Sequence, residues 1–161
     1  LRGGKYSLYE AGTRVPFVTY WKGTIEPGSS DAIISQIDWL SSLSSLMGDE
    51  KQELDSENHM NLLLGKSNKG RDDVVLEATS RTAYRHGDWV LIPPYPGPKM
   101  FLTKGIETGN GDEYQLYNLA EDVSQKNNLA EKMPEKRDEM MERFLTIVGD
   151  AYENTSRLRF D

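Results

Sequence analysis

Arg81-Thr82-Ala83-Tyr84-Arg85-His86-Gly87-Asp88-Trp89-Val90-Leu91-Ile92 decides how the second half of this chain is read. Two short runs rich in β-branched and aromatic residues, 82–84 and 89–92, flank Arg85-His86-Gly87-Asp88. Apolar runs on either side of a glycine turn predict a β-hairpin. Upstream, Val74-Val75-Leu76-Glu77-Ala78 reads as another strand. Downstream, Pro93-Pro94-Tyr95-Pro96-Gly97-Pro98 is a stiff loop, residues 99–103 and 114–117 are strands, and 105–113 is a glycine-rich turn region. A small, mostly antiparallel sheet is therefore expected. A helix follows from Pro134, which suits a first helical turn, with Met141, Phe144, Leu145, Val148 and Tyr152 on one face.

The first half reads differently. Ile33, Ile34, Ile37, Leu40, Leu43, Leu46 and Met47 recur at helical spacing. They predict an amphipathic helix over about 31–47, capped by Asp31 and stopped by Gly48. Residues 17–21, in Phe17-Val18-Thr19-Tyr20-Trp21, predict a strand, with Pro16 confining it to a start or an edge. The polar stretch Lys66-Ser67-Asn68-Lys69-Gly70-Arg71-Asp72-Asp73 predicts a linker. Two parts are expected, residues 1–68 and 69–161: a split piece of an α/β domain, then an α+β unit.

Composition bounds the function. The 161 residues carry 26 acidic and 19 basic side chains, a net charge of -7. That balance argues against a general nucleic-acid binder, which needs clustered Lys and Arg to neutralise phosphates. It leaves room for a local positive site that takes a small anion. With no cysteine, the chain holds neither a disulfide nor a thiolate metal site. No apolar run approaches the roughly 20 residues of a membrane span. The chain opens on Leu1-Arg2-Gly3-Gly4 with no initiator Met or signal-peptide pattern, which predicts a piece of a longer protein.

Four segments, in order, carry a more specific signal. They are Gly4-Lys5 with Tyr9-Glu10-Ala11-Gly12-Thr13-Arg14-Val15-Pro16; Ile37-Asp38-Trp39-Leu40; the hairpin 81–92; and Tyr114-Gln115-Leu116-Tyr117-Asn118-Leu119-Ala120-Glu121-Asp122 with Asn127-Asn128-Leu129-Ala130. Together they resemble type I sulfatases of the alkaline-phosphatase superfamily. Those enzymes carry Gly-Lys and then Glu-Gly-Gly-x-Arg-x-Pro, a hairpin around Gly-Asp-Trp-Lys, and Glu-Leu-Tyr-Asp-Leu before an Asn-Leu-Ala ending. Any one segment is weak; their order and spacing along the chain make the match specific. Ala11 departs from the usual first Gly, predicting a less tight turn, and Val90 departs from the frequent Lys of the hairpin.

The resemblance implies an α/β parent enzyme that hydrolyses sulfate esters. This chain would be the end of its catalytic domain plus an α+β C-terminal subdomain. In that family the lysine matching Lys5 binds a sulfate oxygen. The physical reason is that fixed cations are needed where negative charge sits and develops; read from sequence alone, Lys5 is a solvated surface lysine. Arg85 and His86 are candidates for substrate contact, because the C-terminal subdomain borders the cleft. Arg14 and Glu10 are expected to pair and hold a turn. The parent would use formylglycine, matured from Cys or Ser in Cys/Ser-x-Pro-x-Arg, and calcium held by Asp and Asn oxygens. No Ser here is followed by x-Pro-x-Arg, so nucleophile and metal would come from a missing N-terminal catalytic segment, and this piece would be inactive alone. Its substrate would be a sulfated small molecule or carbohydrate, in a periplasmic, secreted or lysosomal compartment. Two other readings stay open: a phosphonate or phosphate ester hydrolase of the same superfamily, and a non-catalytic binding or scaffold module.

Overall fold

The hairpin around Gly87 forms as its sequence predicts in the computed structural model of the chain, which describes residues 1–49, 55–79 and 81–152. In chain order the elements are α1 (Glu10–Thr13), a 3-10 turn (Gln36–Asp38), α2 (Trp39–Leu46) and α3 (Met60–Leu63). There follow β1 (Asp73–Ala78), β2 (Arg81–His86), β3 (Trp89–Ile92), β4 (Met100–Phe101), β5 (Ile106–Glu107), β6 (Gln115–Asn118), α4 (Pro134–Val148) and a final 3-10 turn (Gly149–Tyr152). Two compact units result. One joins Leu1–Val15 to the chain from Asp73 onward; the other is Pro16–Asp72.

The first unit is α+β. Its antiparallel sheet runs β1-β2-β3-β6, and β4-β5 is a separate ribbon. Register is fixed by Tyr84↔Leu91, Arg85↔Val90 and His86↔Trp89. This leaves only Gly87-Asp88 as the turn, and Gly87 takes a positive φ of 54° that glycine adopts without penalty. Alternation then divides the side chains between two faces. Ala83, Val90, Ile92 and Tyr117 pack on Leu8 and Tyr9 of the opening segment. Tyr84, Leu91 and Leu116 pack on Met140 and Phe144 of α4. The face of α4 turned inward is thus centred on Met140 and Phe144, one turn apart, while Leu145 is exposed.

The second unit departs from the sequence expectation in two places. Residues 17–21 form no strand, and Phe17, Val18, Tyr20 and Trp21 are all exposed. Helical structure begins not at Asp31 but at Gln36. There Ser35 and Asp38 form a capping box, in which the Ser35 N–H donates to Asp38 Oδ2 at 2.9 Å, satisfying donors that a helix start leaves open. Gly48 does end the helix, at φ 82°. The face of α2 that is buried is polar: Ser41 and Ser42. Ile37, Leu40, Leu43, Leu46 and Met47, the apolar stripe, are exposed.

The serines face the loop before α3. The Ser41 N–H donates to Ser56 Oγ at 3.0 Å, Ser41 Oγ donates to the Ser56 carbonyl at 3.0 Å, and the His59 N–H donates to Ser42 Oγ at 2.9 Å. Asp38 is fully buried beneath them. It accepts from the Glu57 N–H at 3.0 Å and from Arg71 Nε at 2.9 Å, with Arg71 Nη2 2.7 Å away. Burial alone would raise the Asp38 pKa, but Arg71 and the two backbone N–H groups outweigh it and hold the carboxyl below its ordinary value.

Candidate functional site

Lys5 stands at the tip of a turn. The Ser7 N–H donates to the Gly4 carbonyl at 2.9 Å, so Gly4-Lys5-Tyr6-Ser7 is a hydrogen-bonded β-turn. Tyr6 sits in its third position at φ 76°, left-handed space where glycine or asparagine is favoured and where other residues sit under strain. Neighbouring backbone holds it there. A Cβ built on Gly12 would lie 2.1 Å from the Ser7 carbonyl oxygen and 2.8 Å from that of Gly4, so only glycine lets α1 press this closely against the turn. Ala11, at the position where the family motif has its first glycine, fits inside α1 and donates its N–H to the Arg2 carbonyl at 3.0 Å.

Residues far along the chain support the turn. Arg2 donates to both oxygens of Glu107, at 2.9 and 2.7 Å, and to the Gln125 carbonyl at 2.6 Å. Its guanidinium lies 4.0 Å from the centre of the Tyr9 ring. The hydrogen bond from Arg2 holds the Glu107 carboxyl below its ordinary pKa. The Glu10 N–H donates to Gln125 Oε1 at 2.8 Å, and the Tyr9 hydroxyl donates to Gln115 Oε1 at 2.7 Å. Sequence reading gave no role to Arg2, Gln115 or Gln125, because their partners lie far along the chain.

Glu10 is buried with its carboxylate between two guanidinium groups. Arg14 Nη1 is 3.5 Å from Oε2, the pairing expected from the sequence, and Arg85 Nη1 is 3.6 Å from Oε1. Arg85 therefore lies on the sheet face that carries the opening segment. His86, the next residue, lies on the opposite face. Its Nδ1 is 2.9 Å from Asp73 Oδ1, an oxygen that also accepts from the Tyr84 hydroxyl. With Nδ1–H donating to the carboxylate, His86 Nε2 is the nitrogen left to accept a hydrogen bond. Arg85 and His86, adjacent in sequence, are thus held by separate carboxylates on separate faces.

His59 is buried, with Nε2 3.2 Å from Glu57 Oε2 but outside hydrogen-bond geometry. Among the described residues no group of three or more His, Asp or Glu side chains is placed to hold a metal ion. No helix among them is long and apolar enough to cross a membrane.

Comparison with known proteins adds to this geometry. The family model described as Sulfatase matches residues 1–49, the span that holds the Lys5 turn, α1 and α2. An N-acetylgalactosamine-6-O-sulfatase of Bacteroides thetaiotaomicron is 41% identical over 148 residues, covering 88% of this chain and 28% of that protein. A structure solved in connection with the metabolism of multiple glycosaminoglycans by Bacteroides thetaiotaomicron superposes with a TM-score of 0.85 at 39% identity. It covers 91% of this chain and 31% of the other. The PsFucS1 sulfatase from Pseudoalteromonas sp. shares the fold, with a TM-score of 0.69 at 19% identity over 96% of this chain. The chain therefore spans under a third of the length of the two Bacteroides thetaiotaomicron proteins.

Proposed function

The chain belongs to the sulfatase family, and from that premise we propose that it forms part of an enzyme that hydrolyses sulfate esters, with Lys5 binding a sulfate oxygen. The observation that carries this reading is the state of Lys5. It is exposed on a turn held from several sides, and no carboxylate among the described residues pairs with it. A compact ammonium with rotatable donors, fixed in place and not neutralised, stabilises negative charge on a bound or reacting sulfate.

In this reading residues 1–68 end the catalytic domain and 69–161 form the C-terminal subdomain. The formylglycine nucleophile and the calcium come from the remainder of a longer protein. That remainder also covers the outward apolar face of α2. The substrate is a sulfated carbohydrate, a class suggested by the names of the bacterial relatives. Arg85 and His86 serve as cleft-wall residues. Arg85 does so from its pair with Glu10, and His86 offers Nε2 to a substrate hydroxyl.

One experiment with two arms tests the proposal. The 161-residue chain should not hydrolyse a chromogenic aryl sulfate, with or without calcium. In the longer enzyme, Lys5→Ala should lower kcat/KM at least about tenfold, worth roughly 1.4 kcal/mol of transition-state stabilisation. Turnover by the chain alone would overturn the first statement, and an unchanged rate in Lys5→Ala the second.

A further inference from the structure

Lys5 is not the only cation at its turn. Lys104, in the connection between β4 and β5, also reaches the Tyr6 ring. Lys5 Nζ lies 5.2 Å and Lys104 Nζ 5.4 Å from the ring centre. Both lysines are exposed, and among the described residues neither ammonium has a carboxylate partner. The nearby carboxylate of Glu107 is taken by Arg2.

The fold fixes this neighbourhood. Four residues of the opening segment, taken alternately, clip onto the β4-β5 ribbon. Arg2 holds Glu107. Gly4 lies so close to Ile106 that an added Cβ would sit 3.2 Å from its Cδ1. The Tyr6 ring meets the Phe101 ring edge-on at 6.3 Å. The Leu8 N–H donates to the Thr108 carbonyl at 3.0 Å. The connection is itself folded back, with the N–H groups of Lys104 and Gly105 both donating to the Phe101 carbonyl, at 3.0 and 2.9 Å.

Two ammonium groups drawn to one ring each gain from its negative face, but they repel one another. Such an arrangement is relieved when an anion enters. One sulfate held by Lys5 answers one of the charges. We propose that Lys104 is a specificity-determining residue that contacts a second anionic substituent of the substrate, a carboxylate or a further sulfate, beside the sulfate held by Lys5. The Tyr6 ring, presented by its left-handed backbone, is the shared anchor of the two ammonium groups that receive the anions. This rests on the reading of Lys5 as a sulfate ligand, and it adds that the substrate is polyanionic at the scale of neighbouring sugar substituents.

The test uses the intact enzyme and three substrates: a monosulfated neutral sugar, a monosulfated disaccharide bearing a uronate carboxylate, and a disulfated disaccharide without one. Lys104→Gln should raise KM about five- to tenfold for at least one of the two dianionic substrates. It should leave kcat within about twofold and change kcat/KM for the neutral sugar less than twofold. Which substrate responds tells carboxylate from sulfate. Lys104→Arg should keep most of the affinity, and the difference between wild type and Lys104→Gln should shrink as salt rises. An equal loss on all three substrates, or no loss on any, overturns the proposal. Lys5→Ala reports separately: a loss on every substrate upholds the sulfate-site reading, and no loss on any of them removes it, whatever Lys104→Gln does.

Discussion

The opening segment and the helix α2 lie fewer than 40 residues apart and treat their apolar side chains in opposite ways. Leu8 and Tyr9 are sealed against the sheet, and even the carboxylate of Glu10 is buried beside them. In α2 the serines are buried, while Leu40, Leu43 and Leu46 point outward. The opening segment is held by apolar packing and by partners from across its unit. The region of α2 is held by hydrogen bonds and by the buried Asp38–Arg71 ion pair. A segment that finds its core within the chain buries its hydrophobic side chains there. One that does not can still fold on polar contacts, and it leaves the apolar face for something else to cover.

If that contrast is right, the most damaging change in the α2 region is to a charge rather than to a leucine. Asp38→Ala takes one partner from the Arg71 guanidinium, which is nearly buried and keeps Glu57 Oε1 at 3.1 Å, and removes the acceptor of two backbone N–H groups. The expected cost is about 3 kcal/mol or more, read by urea denaturation. The same carboxylate sets an acid limit. Its folded pKa lies below the ordinary value of about 4, so its contribution is complete above that pH and is lost as pH falls through the folded value. Wild-type stability should therefore decline below about pH 4, and an Asp38→Asn variant, already lacking the contribution at neutral pH, should decline less over the same range. A loss under 1 kcal/mol for Asp38→Ala would show that the region is not held by this pair.

The opposite region should break through its backbone. Gly12→Ala sets a methyl group against two carbonyl oxygens that belong to the Lys5 turn. Neither can move without reopening the contact between α1 and the turn. A cost of about 2–3 kcal/mol is expected, together with lower sulfate ester turnover in the longer enzyme as Lys5 shifts. A stability change below about 0.5 kcal/mol would mean that the turn tolerates a looser fit, as Ala11 in place of the family glycine already does one residue earlier.

The same contrast explains what could be read from the sequence. The β2-β3 hairpin, β6 and α4 were legible because each carries its own signal: alternation, a glycine turn, or Pro134 at a helix start. The Lys5 turn was legible only through its likeness to a family, since Gly-Lys alone says nothing of where a lysine points. Arg2, Gln115 and Gln125 were not legible, because their partners are about a hundred residues away in sequence. Lys104 escaped for the same reason. The separation of Arg85 from His86 follows from simple alternation along a strand once β2 is seen to continue through His86. The helix α2 misled in an instructive way. Its apolar stripe was detected correctly, but periodicity gives the direction of a face only relative to a core, and the described residues place none there.

The outward stripe gives the smallest and most discriminating prediction. Leu43 is already 43% exposed, so replacing it gives up little burial within this chain. Leu43→Lys in the 161-residue chain should change stability by less than about 0.5 kcal/mol, the range of an ordinary surface substitution. In the longer enzyme the same change should cost about 2 kcal/mol, because a side chain that covering residues had fully buried would be exchanged for a charge. Parallel urea titrations of both proteins give the comparison. Equal small effects would mean that α2 faces water in both, and the stripe would then be a feature of this helix with no partner. Equal large effects would mean that the chain covers its own leucines, and the contrast between its two regions would be lost.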